Sequence, residues 1–231
     1  MDFVTALDQT TSQGLNSFVG HWPLFDRAIA AFADWRFVRC APLVGFILWA
    51  WFRHSDSNAR ALLAAGCAGV TLSVMISVAL QSLLFLHVRP FLMAQELGLR
   101  LPAKLPTNWG QGSSFPSDTA TEHFALAALI WSVSRAWGIA SLVWVTALIA
   151  VPRAYLLFHW PSDIVAAALL GFACVALLQN SKRCVRYAHA LVGWEVRRPH
   201  FFYPLLFALL YQFVDAFDAV DVVLYHFRHP R

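Results

Sequence analysis

Charge is what this sequence has least of: only 13% of its 231 residues are Asp, Glu, Lys or Arg. Lysine is nearly missing, since Lys104 and Lys182 are the only two and the other fifteen basic residues are arginine. So little charge is far from the balance of a water-soluble globular domain and excludes that class. The net charge of +4 is spread through loops and forms no nucleic-acid-binding face, which leaves membrane topology and anion binding as its meaning. The four cysteines, Cys40, Cys67, Cys174 and Cys184, have no metal-ligand spacing, and three lie in apolar segments. They read as small packing residues, with no disulfide frame and no metal centre. The first residues, among them Asp2, Asp8, Gln9 and Thr10, lack the basic start and apolar run of a cleavable signal peptide. There is no internal repeat, low-complexity tract or second domain, so 1–231 reads as one membrane domain.

Apolar residues fill the gap. They make up 59% of the chain, with 10 Trp and 19 Phe, and the expected fold is an all-α, polytopic transmembrane bundle of about six helices. Residues 1–35 are expected to form an amphipathic N-terminal segment, because Leu15 to Trp35 mixes apolar residues with His21, Asp26, Arg27 and Asp34 and contains Pro23. Spans are expected over about 37–52, 61–86, 120–133, 139–157 and 163–178, the first two close to the length that ~30 Å of hydrocarbon demands. Phe201 to Val214 is expected to re-enter the membrane. Ser134 to Gly138 reads as a tight turn. Residues 91–115, with Pro102, Pro106, Gly110 and Gly112, read as an ordered loop with one short helix near Leu92 to Leu99. Asp215, Asp218 and Asp221 recur every three residues and read as a solvated or headgroup-level helical face.

Basic residues collect between Lys182 and Arg198, which the positive-inside tendency places in the cytoplasm. Counting spans backwards puts Arg53, Arg60 and Arg135 inside as well, and puts the Arg89, Ser117 and His159 regions together outside. Arg27, Arg36 and Arg39 disagree with this assignment, since they also fall outside. Trp109, Trp131, Trp137, Trp144 and Trp160 fall near span ends, as interfacial aromatics do.

The chemistry concentrates in Val151 to Asp163. An apolar run ends there in Arg153, His159 and Asp163, which a helix unwinding near Trp160-Pro161 brings towards one pocket. This is a phosphoryl-transfer set: an imidazole to attack phosphorus, a carboxylate to hold its tautomer, and a guanidinium to bind the equatorial oxygens in fork geometry.

Arg89-Pro90, Pro116-Ser117-Asp118-Thr119 and Arg153-x5-His159-x3-Asp163, in that order and on one face, resemble the three-part signature of the type 2 phosphatidic acid phosphatase superfamily of membrane phosphatases. The wording Ser-Phe-Pro-Ser-Asp and the short chain are most similar to bacterial undecaprenyl diphosphate phosphatases. The resemblance covers about Gln81 to Gly171, and the third part is the most specific. It implies a bundle of six helices in the bacterial inner (cytoplasmic) membrane with a periplasm-facing active site, needing neither metal nor cofactor. It further implies that His159 is the nucleophile, forming a phosphohistidine, that Asp163 orients it, and that Arg89 and Arg153 hold the phosphate. Ser117 with nearby backbone N–H groups would complete an oxyanion cradle at a helix N-terminus.

Two positions depart from that pattern. The lysine usual seven residues before the arginine is Ser82, and the histidine that usually ends the second part, as general acid, is Thr119. A threonine hydroxyl is no acid near neutral pH. Candidates to stand in are Lys104 for the ammonium and His123, with Glu122 beside it, for the acid; a solvated loop charge and a packing role are the plain alternatives. His87 is placed equally well for phosphate contact or for the headgroup region. Thr119, Asp118, Lys104 and His123 form the candidate substrate-binding set, and Asp118 is also placed to cap the following helix.

Expelling an alkoxide from a lipid monoester needs a proton, and its loss typically costs ~10²–10⁴-fold, whereas a diphosphate expels a weakly basic phosphate. The expected substrate is therefore a polyprenyl (undecaprenyl) or related lipid diphosphate. Alternatives are a phosphotransferase passing the phosphoryl group to another lipid or glycan, and a catalytically degenerate lipid-phosphate-binding protein. A transporter fits least, because the charges collect at one end and do not line a path through the bundle.

Overall fold

A computed structural model describes residues 3–84, 86–101 and 113–214, and among them every regular element is helical. The order is α1 (Phe3–Asn16), α2 (Pro23–Asp34), α3 (Arg36–Arg53), α4 (Ser57–Leu83), a 3₁₀ turn (Pro90–Met93), α5 (Asp118–Val133) and α6 (Arg135–Val145). A π-helical turn (Thr146–Ala150) joins α6 to α7 (Val151–Tyr155), and α8 (Pro161–Asn180), α9 (Lys182–Arg197) and α10 (Pro199–Val214) follow.

Among the described residues, three helical stretches are long and apolar enough to cross a membrane: Ser57–Leu83, Arg135–Tyr155 and Pro161–Asn180. This is a membrane protein with a helical-bundle fold. At its centre α5 packs against α3, α4, α6 and α8, and its side chains are buried continuously from Ala120 to Ile130. A helix apolar around its whole circumference has no solvent face to offer, and this one is enclosed by its neighbours.

Glycine sets how closely the helices approach. A Cβ at Gly69 would stand 2.7 Å from the Val175 backbone, and one at Gly171 would stand 2.8 Å from the Ala125 backbone nitrogen. These two glycines let α4 and α5 lie directly on α8, a contact in which small residues replace interlocking side chains. Gly138 serves the same purpose, because its Cβ would meet the Trp131 Cα at 2.6 Å. The expected tight turn from Ser134 to Gly138 is therefore shorter than thought. Only Ser134 breaks the helix: its N–H closes α5 on the Ile130 carbonyl, and its own carbonyl accepts the Gly138 N–H of α6.

The expected spans are matched by helices with shifted ends. Helix α3 replaces 37–52, α4 starts four residues earlier than expected, and α10 takes up the run that was to re-enter the membrane. Helices α3 and α10 run antiparallel, with Trp51 stacked on Phe202 at 5.6 Å near one end and the Cys40 thiol 3.1 Å from the Phe213 carbonyl at the other. The expected short helix near Leu92 to Leu99 is instead a 3₁₀ turn opened by Pro90, followed by turns that close at Gly98 with φ of +66°.

One end of the bundle gathers the C-terminus of α4, the loop after it, the N-termini of α5 and α8, and α7. The N-terminal segment covers this end as two helices, not one. Helix α1 rests on α7 and α8, where Asp8 accepts the Ser162 N–H at 2.9 Å and its hydroxyl at 2.6 Å. Helix α2 rests on α3 and α7, where the Tyr155 hydroxyl donates to Asp26. Arg27 and the buried Arg39 therefore do lie at the site-bearing end, as the sequence count had suggested. The basic helix α9 begins at the opposite end, where Arg60 of α4 pairs with Glu195 at 3.0 Å.

Candidate active site

The segment from Leu86 to Arg89 carries His87 and Arg89 into the 3₁₀ turn, with Arg89 itself extended. Its backbone is fixed by the serines that precede α5. The buried Ser113 hydroxyl oxygen accepts the Leu86 and His87 N–H groups at 3.2 and 3.1 Å, and the Ser114 N–H donates to the His87 carbonyl at 2.9 Å. From the other flank, the Trp160 indole donates to the Val88 carbonyl at 2.8 Å. Two motifs distant in sequence are thereby joined edge to edge.

The third motif is shaped by the end of α7. Leu157 takes the left-handed conformation, φ +59°, which is unusual outside glycine and turns the chain sharply before His159. The turn is held by the Phe91 N–H on the Leu157 carbonyl at 3.0 Å. It directs the Phe158 carbonyl to Arg89 Nη1 at 3.2 Å and leaves the Phe158 ring 5.5 Å from the Arg153 guanidinium.

His159 is almost fully buried. Its Nδ1 lies 2.8 Å from the Ser114 carbonyl, and Nε2 lies 3.4 Å from Arg89 Nη1. A carbonyl only accepts, so Nδ1 carries the proton and Nε2 the lone pair. Burial lowers the pKa of this imidazole, with the Arg89 charge acting in the same direction and the Asp163 carboxylate opposing both. The result is a neutral imidazole beside a guanidinium.

Asp163 lies in the first turn of α8 and is fully buried. Its Oδ2 accepts the Trp160 N–H at 2.8 Å, its Oδ1 is 2.9 Å from His87 Nδ1, and His159 Nδ1 is 3.8 Å from Oδ2. The nearest ring to this carboxylate is thus His87, with His159 one step further away. Arg153 Nη2 donates to the Thr119 hydroxyl at 3.2 Å. Asp118 sits within the electrostatic reach of His159, Arg89 and Arg153. Ser117 is fully buried and caps α5, its hydroxyl oxygen accepting the Ala120 N–H at 3.3 Å.

The remaining expected residues lie elsewhere. His123 is enclosed, with Nδ1 2.7 Å from the Thr119 carbonyl and Nε2 3.0 Å from the Cys40 thiol. Cys40, Glu122 and His123 place their ligand atoms within 4.8 Å of one another, and Arg39 acts electrostatically on Cys40 and His123. Ser82 is half-buried in the last turn of α4. Lys104 and the acidic face of Asp215, Asp218 and Asp221 lie outside the described residues.

Sequence reasoning passed over two participants. The Ser114 carbonyl is a backbone group and carries no residue-type signal. Gln81 had one: it directly precedes the position where a lysine was expected. Its amide donates to the Pro116 carbonyl at 2.6 Å and its carbonyl oxygen faces Arg89 Nη2 at 3.5 Å, so it ties the first motif to the second.

A model of the PAP2 superfamily matches residues 61–184, which include all of these motifs. The chain belongs to the PAP2 superfamily. Among relatives, a protein of Escherichia coli (strain K12) named "Putative undecaprenyl-diphosphatase YbjG" is 30% identical over 146 residues, covering 62% of this chain and 67% of that one. No solved structure matches. Membership of this superfamily accounts for the convergence of the three motifs at one end of the bundle and supports phosphatase activity on a lipid phosphate.

Proposed function

We propose that the protein removes the terminal phosphate of a polyprenyl or similar lipid diphosphate, through a phosphohistidine on His159, at the periplasmic face of the cytoplasmic membrane. The observation that carries this reading is the His159 ring itself: Nδ1 is held by the Ser114 carbonyl at 2.8 Å, so Nε2 presents its lone pair beside the Arg89 guanidinium at 3.4 Å. A phosphoryl group lying against Arg89 and Arg153 would meet that lone pair in line, with its equatorial oxygens on the two guanidinium forks. As the N–P bond forms, the P–O bond to the lipid phosphate breaks and the electron pair leaves with that oxygen. Water then attacks phosphorus, inorganic phosphate leaves, and Nε2 regains its lone pair.

Threonine at 119 supports a diphosphate over a monoester, and the name of the Escherichia coli relative points the same way. Facing is supported by the basic residues of α9, Lys182 to Arg198, which begin at the end away from His159.

The test is phosphate release from undecaprenyl diphosphate by detergent-purified protein, alone and with a second lipid acceptor. Release that His159→Ala abolishes is the expected result. Loss of donor without free phosphate would mean that the acceptor is another lipid and not water. No turnover by a folded protein in either assay would overturn the proposal.

A further inference from the structure

We propose that His87 is the proton donor to the leaving group, taking the part that Thr119 cannot play. The inference rests on the phosphohistidine reading above and adds a second catalytic residue to it.

Among the described residues at this end, Thr119 has no acidic proton, and its hydroxyl is engaged by Arg153 Nη2 at 3.2 Å. His123, the candidate from sequence, has both ring nitrogens against protein atoms and is fully buried. His159 is committed as nucleophile. His87 remains, two residues before Arg89 and joined through Nδ1 to Asp163 Oδ1 at 2.9 Å.

Its ring is held in a manner suited to proton transfer. Nδ1 is 2.9 Å from Asp163 Oδ1, a carboxylate with no solvent exposure, while 32% of the His87 side chain remains open. With Nδ1 on the carboxylate, Nε2 is the ring nitrogen left to donate elsewhere. Phe115 and Trp160 stand edge-on to the ring at 6.1 and 6.4 Å, which limits its rotation. Among the described residues, Asp163 meets it directly and His159 lies across that carboxylate.

Asp163 thus joins two imidazoles, with Oδ1 on His87 and Oδ2 3.8 Å from His159 Nδ1. One carboxylate spans the nucleophile and the acid. In the cationic form, the His87 ring carries a proton on each nitrogen, one shared with Asp163 and one directed outward. When His159 Nε2 bonds to phosphorus and the P–O bond breaks, the outward proton passes to the departing oxygen. In the second half, the now neutral Nε2 takes a proton from the water that attacks the phosphohistidine, and the starting state returns.

This assignment also bears on substrate class. With His87 as the acid, Thr119 no longer restricts the site to diphosphates, a preference that then rests on the Escherichia coli relative alone, and lipid monoesters come within its chemistry. Dependence on His87 should then follow how basic the leaving oxygen is.

The experiment compares wild-type protein, His87→Ala and His87→Asn on three substrates: undecaprenyl diphosphate, phosphatidic acid and p-nitrophenyl phosphate. The expected loss in kcat for both variants is ~10²–10⁴-fold on phosphatidic acid and under about tenfold on the aryl ester, with the diphosphate between them. An asparagine amide still donates to Asp163 but transfers no proton. Recovery of kcat in His87→Asn would therefore show an orienting role only and overturn the proposal. An equal loss on all three substrates, by variants with wild-type thermal midpoints, would overturn it too. Failure of the underlying reading looks different, because wild-type protein would then release no phosphate or His159→Ala would retain full activity.

Discussion

His159 Nδ1 lies 2.8 Å from the Ser114 carbonyl and 3.8 Å from Asp163 Oδ2, so a backbone group holds the ring more closely than the carboxylate four residues on. The serine-rich stretch before α5 therefore fixes the imidazole as well as starting the helix.

Asp163→Asn follows from this relationship. The amide oxygen still accepts the Trp160 N–H, and the Ser114 carbonyl still sets the His159 tautomer. Activity should fall by ~10²–10⁴-fold with little change in KM, and should stay measurably above that of His159→Ala. Steady-state kinetics on both variants decide it. Equal inactivity would assign the orientation of His159 to Asp163 alone.

Arg153 is anchored by Thr119, so the two residues should be coupled. Arg153→Lys removes the fork and its pairing with phosphate oxygens, a charged hydrogen-bond loss of ~1.5–3 kcal/mol that corresponds to a roughly 10–100-fold rise in KM. Thr119→Val keeps the guanidinium but removes this hydrogen bond, and KM should rise by less. Combined, the two substitutions should cost no more than Arg153→Lys alone, as double-mutant kinetics would register.

Burial sets the acid limb of the pH profile. The His159 pKa is lowered from 6.5, so Nε2 stays unprotonated as pH falls through that value. The limb of kcat/KM that reports the nucleophile should lie below pH 6.5. The same shift has a stability consequence: below pH 6.5 the unfolded chain binds this proton and the folded one does not, so stability falls as pH falls there. The thermal midpoint of His159→Gln should depend less on acid than that of the wild type.

Helix approach at glycine should be as necessary as the catalytic side chains. Gly171→Val would drive a Cβ to 2.8 Å from the Ala125 nitrogen and 2.9 Å from the Thr121 carbonyl, forcing α5 and α8 apart. Overpacking costs of ~1–3 kcal/mol are expected, together with a fall in kcat, because these helices carry Ser117 and Asp163. Gly14→Ala, with nothing within 4 Å, should leave thermal midpoint and kcat unchanged or slightly raise the midpoint.

Three of the expected spans, those over about 61–86, 139–157 and 163–178, and the family were legible because both signals are local. Long apolar runs mark membrane helices, and Arg153, His159 and Asp163 sit on one continuous stretch whose spacing is itself the signature. The wiring of the site was not legible. Ser114 acts through a carbonyl that every residue possesses, and Gln81 acts across a loop whose path depends on the Ser113 hydrogen bonds. His123 looked available on a helical count, but Cys40, which faces its Nε2 at 3.0 Å, comes from α3, 83 residues earlier in the chain.

The most direct test of the central claim is chemical trapping. Protein mixed with undecaprenyl diphosphate labelled at the terminal phosphate should be quenched within one turnover and digested for mass spectrometry. The account predicts an acid-labile, alkali-stable phosphoryl group on the peptide containing His159, absent from His159→Ala and more abundant in Asp163→Asn if that substitution slows hydrolysis more than attack. Phosphate release in step with turnover while no histidine is ever labelled, or labelling confined to His87, would contradict it.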